Sequence, residues 1–296
     1  MAVKAFSYDD VAIREDLLSE LTNLSPRETQ LVSGLATTEA KNTLHSWLIK
    51  SLGSVKTNAY VEGADASYDI QNPTRLSNLT QAFLEGWQIT DTDIAVNRAS
   101  GDRKAEEIAD ALAELKNDME YALMRGSLVT GNGSSAARQL RGLKLSLSLL
   151  TNASAASMSE STFNDYLQMV WDNSNTEVNA VYCPIYIKRK IAGYSGAAND
   201  KTISIDDKRL VNAVDVYSSD AASLVKLFKH RYVTVSGDTN YDIVGLNEDY
   251  ARIAYLIKPH NEDVARTGLA EKGFVTTELT LEVLHPQAGF WVINTK

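Results

Sequence analysis

The chain has 296 residues, 44% hydrophobic and 23% charged, with 16 Gly, 5 Pro and a single Cys, Cys183, which has no partner for an intrachain disulfide. That composition excludes a collagen-like or disordered chain and a disulfide scaffold. With 29 Lys plus Arg against 38 Asp plus Glu, the net charge of −9 has the wrong sign for a protein that grips nucleic-acid phosphates.

No apolar run approaches the ~18 residues of a membrane span, so no membrane partner is expected. The start turns acidic where a signal peptide turns apolar. Asp9 to Leu24 reads as a short amphipathic helix, with Ile13, Leu17, Leu18, Leu21 and Leu24 on one face and Ser25-Pro26 ending it. From Arg27 to Leu52 the anchors Leu31, Leu35, Leu44, Trp47, Leu48 and Leu52 are isolated, a pattern that suits an arm laid over another surface. Val55 to Asn97 reads as two strand-like runs, Val55 to Val61 and Gln81 to Thr90, joined by a long polar loop. Phe83, Trp87 and Ile89 share a face of the second run, with Glu85 among them. Such a ribbon has little core of its own and needs support from a partner.

Asp102 to Arg125 predicts one helix of about 24 residues, roughly 36 Å long. Its stripe is Ala105, Ile108, Ala109, Leu112, Leu115, Met119, Ala122 and Leu123, with Glu106, Glu107, Asp110, Glu114, Lys116 and Glu120 on the solvated remainder. Ser100 or Asp102 can cap its start, and Gly126 stands where a left-handed residue is wanted. A second helix is expected from Ser159, with Phe163, Tyr166, Leu167, Val170 and Trp171 on one face, then a strand over Val178 to Cys183 and a helix from Pro184 to Ala192. Strands over Val211 to Val216 and Leu224 to Val235 flank the turn Ser218-Ser219-Asp220. The alternating run Glu278 to Val283 and Phe290 to Ile293 close an α+β chain.

Chemistry is sparse. Gly131-Asn132-Gly133-Ser134-Ser135-Ala136 is near the dinucleotide fingerprint but follows a helix instead of a strand, so it reads as a plain loop and no cofactor is expected. Gly193-Tyr194-Ser195-Gly196-Ala197 approximates a nucleophile elbow without the required strand before it. A small α/β hydrolase using Ser195 is therefore the alternative from a different class. His45, His230, His260 and His285 lack metal-ligand spacing. The pairs Glu106/Glu107 and Glu278/Glu282 read as charge on solvated faces.

The order of segments is more telling. Arg14-Glu-Asp-Leu-Leu-Ser-Glu-Leu-Thr-Asn-Leu-Ser-Pro-Arg-Glu-Thr29, His45-Ser-Trp47-Leu-Ile-Lys-Ser-Leu52, Tyr60-Val-Glu62-Gly63-Ala-Asp65, Arg75-Leu-Ser-Asn78-Leu-Thr-Gln81, Asp118-Met-Glu120-Tyr-Ala-Leu123 and Arg266-Thr-Gly268-Leu-Ala-Glu-Lys272-Gly, followed by Glu278-Leu-Thr-Leu-Glu282, occur in series. In that order they resemble the major capsid proteins of tailed phages, the Johnson fold, and within them the branch typified by phage SU ten. The resemblance implies an N-terminal arm (1–54), an extended β-hairpin loop (55–98), a peripheral domain (99–140 and 236–296) built on a spine helix over 102–125, and an axial domain (141–235). It implies a virion protein and not an enzyme, assembled in the host bacterial cytoplasm as hexamers and pentamers into an icosahedral phage head. That head encloses double-stranded DNA without sequence-specific binding, and portal and scaffold or cement proteins are the further partners. A nanocompartment shell of the same fold is the near alternative. Trp47, Glu62, Arg75, Asn78, Phe83, Trp87 and Ile89 are the expected subunit-interface residues, with Trp47 equally consistent with an intrachain core. Phe83, Trp87 and Ile89 are expected near another chain or at the ribbon's base.

Overall fold

The computed structural model describes residues 29–53, 55–66, 68, 70–96, 103–133, 135–194, 215–234, 240–266 and 268–296. The expected helix from Asp9 to Leu24, the caps Ser100 and Asp102, Ser195 and the strand start at Val211 lie outside the described residues.

The elements run α1 (Gln30–Gly34), β1 (Ala36–Glu39), β2 (Leu44–Ile49), β3 (Thr74–Leu79), β4 (Gln81–Thr90), α2 (Asp91–Ala95), α3 (Arg103–Arg125), β5 (Ser127–Val129), β6 (Gln139–Arg141), α4 (Leu143–Ser146) and β7 (Leu149–Asn152). There follow α5 (Glu160–Ser174), β8 (Ala180–Cys183), α6 (Ile185–Ile191), β9 (Val216–Ser219), β10 (Ala222–Lys229), β11 (Tyr241–Leu246), β12 (Ala251–Val264), β13 (Ala270–Val283) and β14 (Gly289–Thr295). Local chemistry sets several boundaries. The Ser159 hydroxyl accepts from the Thr162 amide at the start of α5, which ends at Asn175 in the left-handed region (φ 53°). Pro184 precedes α6, where a missing N–H is harmless.

Two larger sheets carry the architecture. One has the order β1-β12-β13-β4 and the other β7-β14-β11-β8-β10-β9. The helix α3 lies against the first sheet, burying Ala111, Leu115, Met119, Ala122 and Leu123 with Phe83, Trp87, Ile89, Val275, Leu279 and Leu281. That core continues onto one face of the six-stranded sheet through Tyr182, Val244, Leu246 and Trp291. Alternate residues of the same strands, Val181, Cys183, Ile243 and Val292, point the other way and pack with Phe163, Leu167 and Val170 of α5 and Ile187 and Ile191 of α6. Sheet alternation thus divides one strand set between two cores.

Four expectations are corrected. The ribbon is β2 paired antiparallel with β3, from Leu44↔Leu79 to Ile49↔Thr74, and no strand forms among the described residues from Val55 to Val61. Its expected second strand, β4, pairs along its length with β13 inside the four-stranded sheet. The strands β11 and β14, expected in the peripheral unit with the rest of 236–296, belong to the six-stranded sheet. Gly126 is not left-handed. It is glycine because a Cβ there would lie 2.5 Å from the Leu140 carbonyl oxygen, and Gly142, whose N–H donates to the Gly126 carbonyl, is just as tight. Finally, Glu120 and Glu282 are buried, not solvated.

Candidate subunit interface

The β2–β3 ribbon is two-faced. Along β2 the half-buried residues are His45, Trp47 and Ile49, while Leu44, Ser46 and Leu48 face out. The inner face is fixed to the body by side chain to backbone bonds. The Trp47 indole N–H donates to the Val283 carbonyl (3.1 Å). Asn78, almost wholly buried, donates to the Leu281 and Arg141 carbonyls and accepts from the Arg141 amide. His45 Nε2 stands 3.6 Å from the Glu282 carboxylate. At the base Arg138 bonds both the Thr80 carbonyl and Glu278, and the Thr80 hydroxyl donates to the same carboxylate. The Asn78 amide, the Trp47 indole N–H and the Glu278 carboxylate thus have partners at this root, whereas His45 Nε2 is buried there without a hydrogen bond.

The connecting segment from Lys50 to Pro73 is the opposite. Its described residues are exposed apart from half-buried Gln71. Leu52 (88%), Val61 (84%), Tyr68 (91%) and Ile70 (81%) are almost fully in water, joined by Val55 and Tyr60. Large apolar side chains exposed in this number on one segment make it the candidate contact surface of the subunit.

The expected interface residues separate accordingly. Glu62 and Arg75 are exposed on the ribbon and its loop. Trp47 and Asn78 both lie at the root, on different carbonyls of the body. Phe83, Trp87 and Ile89 lie in the chain's own core beneath α3, with the Trp87 indole N–H on Asn261 Oδ1 (2.7 Å). Glu85, among them on the same face, has its carboxyl pushed up by burial and by nearby Glu114 and Asp118. The exposed apolar set of the loop escaped the sequence reading. Its available signal was Leu, Val, Tyr and Ile within a stretch too rich in Gly, Ala and Asp to bury them.

A second polar cluster joins the start of α3 to the far end of the β12–β13 hairpin. Lys104 Nζ lies 3.0 Å from Asp263 and 3.4 Å from Glu271, and Arg266 bonds Glu271. The hydrogen bond to Asp263 pushes the Lys104 ammonium up, and the cations hold both carboxyls below their ordinary range. The Gly131 to Ser135 loop links β5 to β6, with Gly131 and Gly133 at φ 72° and 77°, and opens onto a strand, so its amides do not form the helix start that a pyrophosphate needs. Among the described residues no group of three or more His, Cys, Asp or Glu could hold a metal ion, and no helix is long and apolar enough to cross a membrane.

Comparison with known proteins bears on the fold and the family. No curated protein matches the sequence. In structure the chain is similar to the capsid of cyanophage A-1(L), with TM-score 0.68, 14% identity, and 96% of this chain and 97% of that one covered. It is similar also to the capsid of a native GTA particle, with TM-score 0.67, 10% identity and full coverage of both chains. The SrpI encapsulin of Synechococcus elongatus PCC 7942 shares the fold too, with TM-score 0.62, 14% identity, and coverage of 100% and 97%. At these identities the structures establish the shell-forming fold. The sequence itself matches the SU10 major capsid protein family over residues 4–296, and the chain belongs to that family: it is a major capsid protein of the tailed-phage type, a shell subunit that works in many copies.

Proposed function

We propose that this subunit forms hexamers and pentamers that close into an icosahedral phage head around double-stranded DNA, each copy laying its β2–β3 ribbon on a neighbour. The observation that carries this reading is the loop from Lys50 to Pro73, which exposes six large apolar residues and buries none. A closed shell gives every copy an equivalent or nearly equivalent neighbour, so one such loop can be covered everywhere at once. In this scheme the residues before β2 are the arm, β2 to β3 the extended loop, α3 with the four-stranded sheet the peripheral unit, and the six-stranded sheet with α5 and α6 the axial unit. Glu62 and Arg75 supply polar contacts around the loop, and Trp47 and Asn78 aim it. The net charge of −9 suits a container that does not adhere to its DNA. Portal and scaffold or cement proteins complete the head, and assembly takes place in the host cytoplasm. Membership of a capsid family favours this over a hydrolase using Ser195.

The test replaces residues 54–72 with a short Gly/Ser linker. The variant should give a folded, soluble subunit that does not form closed particles in negative-stain micrographs. Normal particles from that variant would refute the interlocking ribbon.

A further inference from the structure

Glu120, in the C-terminal half of α3, is 0% exposed. Its Oε1 accepts from the Leu31 amide (2.8 Å) and its Oε2 from the Val32 amide (2.9 Å). These are first-turn amides of α1, which have no acceptor within their own helix. Nε2 of His230, just past β10, lies 2.8 Å from the same Oε1. The Tyr232 amide donates to the other ring nitrogen, Nδ1 (3.2 Å). An Nδ1 that accepts leaves the proton on Nε2, so His230 is a neutral donor to Glu120. One buried carboxylate is therefore held by three N–H groups from two segments 89 and 110 residues distant.

Burial of a carboxylate is tolerated only when such donors are in place. If α1 leaves, two of the three go with it, and a half-satisfied buried charge is worse than either extreme. Docking is thus all or none, and in one register, because the two oxygens match two consecutive amides. An apolar residue at this position would hold α1 by shape alone and over several registers. The segment is also attached to the sheets at one edge. Leu31 and Leu35 are its buried plugs, while β1 is a four-residue strand, three of its residues exposed, that among the described residues pairs with β12 alone. Its departure would leave β12, β13 and β4 still paired. Around the carboxylate, Tyr182 packs edge-on to His230 and bonds Glu248, whose carboxylate faces Gly34 of α1.

We propose that Glu120 is a clasp that makes docking of the N-terminal arm a two-state event: the segment around α1 opens and closes as one unit on an otherwise folded subunit, and His230 couples that opening to the end of β10. The clasp belongs to the single chain and does not depend on how copies assemble.

Hydrogen exchange on the unassembled full-length subunit tests it. In the wild type the Leu31 and Val32 amides should exchange together, through an opening distinct from and easier than that of the Leu115 to Leu123 amides. Glu120→Gln keeps the shape but removes the charge, and should speed exchange at Leu31 and Val32 by at least about tenfold, the effect of losing a charge-assisted hydrogen bond, with α3 unchanged. His230→Phe should speed the same two amides although His230 does not touch them. Exchange of Leu31 and Val32 only by global unfolding in the wild type would overturn the clasp, and that measurement decides even if a variant fails to fold. Equal loosening of α3 and both sheets in Glu120→Gln would overturn it too.

Discussion

Replacing Trp87 with alanine should destabilise the subunit itself and not merely disarm its assembly. Trp87 is 4% exposed and lies across the β4–β13 pair from Gly273, so close that a Cβ on Gly273 would come within 2.4 Å of the indole. Truncation removes about 200 Å² of buried side chain, or ~5 kcal/mol at 25 cal/mol per Å². The bond to Asn261 adds about 1 kcal/mol, and Lys104 Nζ, 5.1 Å from the ring centroid, roughly 0.5 kcal/mol more. Relaxation around the hole and a compact unfolded chain return part of this, leaving about 3–5 kcal/mol, a large share of a typical domain's stability. Urea unfolding of the unassembled subunit, followed by far-UV circular dichroism so that the lost indole does not alter the signal, reads the shift. Gly273→Ala is the matched control: it overfills the same spot and should cost about 1–3 kcal/mol. A Trp87→Ala subunit with the wild-type midpoint, failing only in assembly, would move Trp87 from the core to a contact between chains.

By the same assay Leu115→Ala should cost about 2–5 kcal/mol and half-buried Leu112→Ala clearly less; equal effects would mean that α3 sits rotated on its sheet. Asp263 and Glu271 are held below their ordinary pKa, Asp263 chiefly by the Lys104 hydrogen bond and Glu271 chiefly by that of Arg266. Such groups stabilise fully above the ordinary carboxylate range and lose their effect as pH falls through the lowered values, so at low salt amide protection at the far end of β12–β13 should drop below about pH 4, and unchanged protection down to about pH 2 would count against it. Burial pushes the Cys183 thiol up to about 12, so maleimide should label it only at the rate of unfolding, and fast labelling of the native subunit would contradict its place in the core. In assembled heads the inner wall should be neutral to acidic, and a solved particle lined mainly by Lys and Arg would refute that expectation.

What the sequence made legible followed single-element periodicity. The helix α3 announced itself through a three- and four-residue stripe, and α5 through a similar stripe starting near Ser159. The ribbon was misread because its hydrophobic pattern is inverted. The inner face of β2 is His45, Trp47 and Ile49 while Leu44 and Leu48 face water, and opposite them the buried residue is Asn78. A rule that sends leucine inward and asparagine outward chooses the wrong face. In β4 the alternation of Phe83, Trp87 and Ile89 identified the strand, but its partner β13 begins at Ala270, and no local signal spans that distance. Glu120 was assigned to solvent because its donors, Leu31, Val32 and His230, arrive from elsewhere in the chain. The same holds for Glu282 and Glu278, on a strand flanked by β12 and β4.

The inversion has a physical use. In the proposed shell, a ribbon whose tip meets another chain cannot take its direction from an apolar core at the tip, because that core would hide the contact surface. Direction must come from the root, and apolar packing there would permit the strand pair to slide. Hydrogen bonds do not. Asn78 bonds the Leu281 carbonyl and both backbone groups of Arg141, and Trp47 bonds the Val283 carbonyl. Each bond weakens steeply with a modest change in angle, and a one-residue slip would exchange the two faces of the ribbon. Polar side chains at the root therefore fix the register, and apolar ones remain free at the tip. The arrangement that defeats a hydrophobicity rule in the sequence is the one that, in the proposed shell, lets a single subunit stay folded while it carries an apolar loop into water.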